Sequence, residues 1–120
     1  GKVLEELIDD LQVYAEKTFK LDKKLKGSES TLREHLQAIE MQTGITPEEL
    51  HNPEPSPAVA YLLGWFFELA MSRQSGMSLN PISYTEIDAW SRLFARHLEQ
   101  WEISVIKQLD MIYLNVQQTE

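Results

Sequence analysis

Three histidines, His35, His51 and His97, and a scattered set of carboxylates are the side chains here whose types could do chemistry. A helical metal site of the HExxH kind needs a second imidazole or an acid at i+3 or i+4 on the same helix face, and none of the three has one. They read as ordinary surface histidines. There is no cysteine, so a disulfide framework, a thiolate nucleophile and cysteine-ligated zinc or iron–sulfur sites are excluded. No GxGxxG or GxxxxGK[ST] loop is present to cradle a phosphate, and no GxSxG elbow to raise a serine nucleophile. Glu68, Glu86, Asp88 and Asp110 stand in the most apolar part of the chain. Either one of them is an acid of raised pKa, or Glu86 caps a helix and the others make helix-surface ion pairs with Arg73, Arg92 and Lys107. With 19 acids in the chain, the second reading is the simpler one. No catalytic residue, metal or cofactor is expected, and the protein reads as a non-enzyme.

The elements that carry these residues are all helical. Val3, Leu4, Leu7, Ile8, Leu11, Tyr14 and Ala15 form an apolar stripe at helical spacing, predicting a helix over 3–25. Acids crowd its start and lysines its end, which complements the helix dipole. Gly27–Ser30 reads as a flexible junction. Thr31 with Glu34 is a capping box opening a helix over about 32–43, closed by Gly44. Thr46-Pro47 is a second start, with Thr46 as N-cap, and Pro53 stops that helix within two turns. Three prolines at alternate positions, 53, 55 and 57, hold an extended linker.

Ser56-Pro57 opens the most apolar helix, about 57–74, with Gln74 near its end and Gly76 starting a loop. It is apolar around most of its circumference, so it should lie centrally. Gly64 in its middle costs about 1 kcal/mol against Ala unless it allows close helix approach. Ser83 and Glu86 form another capping box, and Ile87, Trp90, Leu93 and Phe94 line that helix. A weakly signalled break near 96–99 precedes a last helix over about 100–116, with Trp101, Val105, Leu109, Ile112 and Val116 in register. No segment alternates with period two. The expected fold is all-α: five or six helices packed around the apolar helix 57–74, with a long N-terminal helix. Two units are expected: 1–26, an amphipathic helix that is mobile or oligomerising, and 31–116, a helical domain that folds without it.

A chain of 120 residues can bury a core of its own. Its net charge is −8, and acids outnumber bases in both halves. Nucleic-acid backbones and anionic membrane surfaces are repelled by such a field, so neither is an expected partner. The longest nearly uncharged apolar stretch, Pro57–Phe67, is too short to span a bilayer. No secretory signal is legible, and a cytoplasmic location is expected.

The aromatic residues are either plain core or the wall of a groove that takes a partner helix. The 3–25 helix either packs on the domain or docks on another chain. The candidate partner-binding surface joins the exposed edge of the aromatic cluster, around Tyr61, Trp101 and Tyr113, to the stripe Leu4, Leu7, Ile8 and Leu11. That stripe matches the i, i+3, i+4, i+7 anchors of helix-in-groove docking. It could equally close a homo-oligomer.

Residues 31–115 resemble a known family. The order is Thr31-Leu-Arg-Glu-His-Leu36, Gln42-Thr-Gly-Ile-Thr-Pro-Glu-Glu-Leu50, then Tyr61-Leu-Leu-Gly-Trp-Phe-Phe-Glu-Leu69. Asn80-Pro-Ile-Ser-Tyr-Thr-Glu-Ile-Asp-Ala-Trp-Ser-Arg-Leu93 follows, with Trp101-Glu102, Leu109-Asp110 and Tyr113-Leu114. This is similar to the tail assembly chaperones of long-tailed bacteriophages, short proteins encoded between the tail tube and tape measure genes. The resemblance implies a protein that keeps the tape measure protein soluble and recruits tail tube subunits. It implies action in the host cytoplasm, absence from the mature virion and no catalytic residues. Other readings are a small structural tail or connector component of the virion, or an acidic helical regulator of a host protein. Residues 1–30 fall outside the pattern. The stretch before Trp101-Glu102, His97-Leu-Glu-Gln100, lacks the usual capping residue, so the local break is expected to differ.

Overall fold

A computed structural model describes residues 3–73 and 79–119. Gln74 and Gly76, read above as a helix end and a loop start, lie outside the described residues, as does Gly1. Five α-helices follow one another: α1 (Leu4–Leu21), α2 (Leu32–Thr43), α3 (Pro57–Met71), α4 (Tyr84–Leu93) and α5 (Gln100–Gln118). A 3-10 turn, Glu48–Leu50, lies between α2 and α3. No strand occurs among the described residues, and the fold is all-α.

Local chemistry sets most of the helix ends. Thr31 Oγ1 accepts from the Glu34 amide at 3.1 Å while Glu34 Oε1 accepts from the Thr31 amide at 2.9 Å, the full capping box. Ser83 and Glu86 repeat it at the start of α4, with both bonds at 3.1 Å. Ser56 accepts from the Ala58 amide and Pro57 takes the first helical position of α3. Gly44 closes α2 in the left-handed conformation, at φ 73°. Thr46 departs from expectation: its hydroxyl bonds Glu40 instead of capping, so one 3-10 turn forms where a short helix was predicted. At the head of α5 a carboxylate replaces the usual capping hydroxyl, and Glu102 Oε1 accepts from the Glu99 amide at 2.8 Å.

Gly27–Ser30 is a tight turn and not a loose junction. Gly27 adopts φ 74°, the Leu25 amide donates to Ser30 O at 2.9 Å, and the Leu32 amide donates to Lys23 O at 3.1 Å. Arg33 crosses back to Asp22 at 2.8 Å, a bond that raises the guanidinium pKa against the smaller opposing effect of burial.

The core forms where α1, α3 and α5 meet. From α1 come Leu11, Ala15 and Phe19, from α3 Val59, Leu62, Leu63, Phe66 and Leu69, and from α5 Val105, Ile106, Leu109 and Val116. Ile82, Ile87 and Trp90 close one side from α4 and its lead-in. Complete burial of a leucine such as Leu11 contributes about 1.5–3 kcal/mol. α1 is therefore a member of the core. Its stripe says that one face is covered; the fold supplies the cover from within the chain. α1 and α5 run in the same sense, since Gln12 meets Gln108 and, further on, Lys23 donates to the Val116 carbonyl at 2.8 Å and to that of Thr119.

α3 packs against α1, α4 and α5. Its burial is nevertheless one-sided: Tyr61, Gly64, Phe67, Glu68 and Met71 face outward. A Cβ on Gly64 would meet nothing within 4 Å, so close helix approach within the chain does not explain that glycine. α4 stops sooner than its stripe suggests. Ile87 and Trp90 are buried, but Leu93 and Phe94 are exposed, because the chain turns away through Ala95 at φ 53°.

Candidate partner-binding site

The residues that could do chemistry are placed in structural or solvent-facing roles. His35, His51 and His97 are all exposed. No group of three or more His, Asp or Glu able to hold a metal occurs among the described residues. Glu86 caps α4, Asp88 pairs with Arg92 one turn on at 2.8 Å, and Glu68 pairs with Arg96 at 3.3 Å. Lys107 does not join a carboxylate of this set; it donates to Ile82 O at 2.5 Å and stands 4.7 Å from the centre of the Tyr84 ring.

Asp110 differs from the expected surface ion pair. It is 1% exposed and accepts from Arg73 Nη2 and from the Ile82 amide, the latter at 2.8 Å. Arg73 also donates to Asn80 O at 3.0 Å and lies 5.5 Å from the centre of the Tyr113 ring. One buried ion pair thus ties the end of α3, the approach to α4 and the middle of α5. Such a clasp fixes backbone.

Glu102, noted in the sequence only within the family-like Trp101-Glu102 pair, is the second buried acid. It accepts from Tyr61 Oη at 2.7 Å as well as from the Glu99 amide. Tyr61 is 36% exposed, but its hydroxyl is the end turned toward α5. Desolvation of that end, with the hydrogen bond and the negative charges of Glu102 and Glu99, raises its pKa well above the ordinary tyrosine value. The signal for Glu102 was its position three residues after Glu99, hidden because the first residue of the box was itself an acid.

The seven predicted partner-binding residues do not form one surface. Leu11 is fully buried, and Leu7 and Ile8 pack partly buried against the same core; only Leu4, 42% exposed, stays open. Trp101 and Tyr113 sit on α5 twelve positions apart, about 18 Å along the axis at 1.5 Å per residue. Tyr113 packs edge-on to Phe19 with ring centres 5.2 Å apart, at the far end from Trp101. Tyr61 meets Trp65 edge-on, 4.8 Å centre to centre. The aromatic edge is therefore divided, and of the seven residues Ile8 and Trp101 line one groove.

Those two share a groove of about 760 Å³ between α1 and α5. α1 contributes Glu5, Ile8, Asp9 and Gln12, spaced i, i+3, i+4 and i+7. α5 contributes Trp101, Ser104, Val105, Gln108, Met111 and Ile112 at the matching helical spacing. Parallel neighbours of this kind leave a furrow wherever their facing stripes diverge. Ile8, Trp101, Val105, Met111 and Ile112 are its apolar lining, Gln12 donates to Gln108 across it, Glu5 and Asp9 stand on α1, and no lysine or arginine lines it. Met111 is 53% exposed on the α5 lip.

Nearly two thirds of the chain, from within α2 to near the end of α5, matches a known family model. Residues 39–115 match the model described as phage tail assembly chaperone. No curated protein and no solved structure matches the chain.

Proposed function

The chain belongs to the phage tail assembly chaperone family, and from that membership we propose that it binds the tape measure protein, keeps it soluble, and helps recruit tail tube subunits during tail assembly. The family match over 39–115 is the observation that carries this reading. The physical features support it. The outer faces of α3, α4 and α5 leave Phe67, Met71, Leu93 and Met111 open to contact. A net charge of −8 keeps a complex with an apolar client in solution by mutual repulsion. The reading assigns no catalytic step to the protein. It acts in the host cytoplasm and leaves before the virion is complete, and self-association through an exposed apolar face accompanies that role.

The test is co-expression of the tape measure protein with and without this chain, scoring soluble tape measure by sedimentation, together with mass spectrometry of purified particles. Soluble tape measure only in the presence of the chain, and no chain in finished particles, is the expected result. Retention in the particles at fixed copy number would instead make it a small structural tail or connector component.

A further inference from the structure

We propose that the α1–α5 groove is the seat of one client helix, an amphipathic helix that carries lysine or arginine on the flank lying beside α1. This rests on the chaperone reading above. The two walls each present one face of a helix, so the furrow is straight along both axes and offers about 10 Å of α1 and about 16 Å of α5. A groove two to three turns long suits a helix docking through i, i+3, i+4 and i+7 anchors. Ile8, Trp101 and Met111 provide the apolar contact. Methionine on the lip is unbranched and polarizable, and it reshapes around clients whose anchors differ from turn to turn.

Charge selects the occupant. Glu5 and Asp9 stand on one rim with no basic residue in the lining, inside a chain of net charge −8. An acidic segment is repelled there, and an apolar helix with bases along one flank gains both contact and charge complementarity. The acids sit on α1 only, so the occupant's basic flank is fixed toward α1 and its axial rotation is set.

The experiment uses the full chain with the tape measure protein as the client. Met111→Glu and Ser104→Arg place charge and bulk on the exposed lip. Glu5→Lys with Asp9→Lys reverses the rim. Met41→Glu makes the same substitution at an exposed methionine on α2, away from the groove. A photo-crosslinker replacing Ser104 reports what occupies the site. The lip variants are expected to weaken client binding at least about tenfold, as loss of an interface anchor does. The rim reversal is expected to weaken it severalfold at low salt and less at high salt. Met41→Glu should bind as wild type, all variants should melt within a few degrees of it, and the crosslink should join chain to client. Lip and rim variants that solubilise the client as well as wild type overturn the groove and leave the chaperone reading intact. Crosslinks that join two copies of this chain overturn it in favour of self-association. Failure of the wild-type chain to solubilise the client overturns both.

Discussion

Removing Asp110 should cost more stability than any other single change of a charged residue in this protein. The carboxylate is 1% exposed, and the Arg73 side chain that meets it is 9% exposed, so neither partner can turn to water when the other is lost. Asp110→Ala leaves a guanidinium buried with only the Asn80 carbonyl and the Tyr113 ring for company, and it strips the Ile82 amide of its acceptor. Breaking a buried pair from one side costs about 3–5 kcal/mol. Unfolding entropy scales to roughly 0.25 kcal/mol per degree for a chain of this length, so the melting temperature should fall by about 12–20 °C. Asp110→Asn keeps an acceptor for the Ile82 amide and should cost about 1–2 kcal/mol less than the alanine. The double variant Arg73→Met with Asp110→Asn removes both charges, and its loss should be well below the sum of the single losses, with a coupling of about 2–3 kcal/mol. Urea unfolding followed by tryptophan fluorescence, with circular dichroism on the same samples, measures all four. A cost under about 1 kcal/mol for Asp110→Ala, or additive losses in the cycle, would refute the clasp.

Gly64→Ala should stabilise the protein by about 1 kcal/mol, near 4 °C in melting temperature, because the site is an exposed helix interior with free space for a methyl group; a loss would reveal crowding there. Ser83→Ala should cost about 0.5–2 kcal/mol through the α4 capping box, and an unchanged melt would remove that box from the account. Leu11→Ala should cost about 2–5 kcal/mol, and deletion of residues 1–26 should abolish cooperative unfolding; a truncated chain with a sharp melt would show α1 to be dispensable. Tyr61 binds its proton more tightly in the folded chain, so its contribution is whole below about pH 10 and is lost as pH rises toward the folded value. Wild type should therefore lose stability faster than Tyr61→Phe between pH 9 and about pH 11, and equal urea midpoints across that range would count against the Tyr61–Glu102 bond.

Local chemistry was legible wherever a helix end depends on residues three or four apart. The boxes at Thr31 and Ser83, the glycine stop at Gly44 and the Pro57 start all appear as the sequence predicts. What could not be read is which partner covers a stripe. Leu4, Leu7, Ile8 and Leu11 give the same pattern whether the covering surface is the chain's own α5 or another molecule. The Arg73–Asp110 pair is equally silent in the sequence, because its members stand 37 positions apart and neither carries a local signature. Leu93, the last residue of α4, and Phe94, its cap, keep the apolar spacing and are nevertheless exposed, so periodicity overstated burial there. The divided aromatic edge has the same cause: residues on one helical stripe share a face but not a height, and Trp101 and Tyr113 share α5 without sharing a surface.

The parallel pairing of α1 with α5 also governs how the protein is born. Lys23 and Val116, which meet at the far end of that pairing, are 93 positions apart. Synthesis at about 5–20 residues per second separates their emergence by roughly 5–20 s. Until α5 emerges, Leu11, Ala15 and Phe19 lack one of the two helices, α3 and α5, that cover them. The acids at its start and the lysines at its end keep the waiting segment hydrated. The fold therefore closes as a late event, when the last helix arrives, and a ribosome stalled before α5 holds a sticky, incomplete chain.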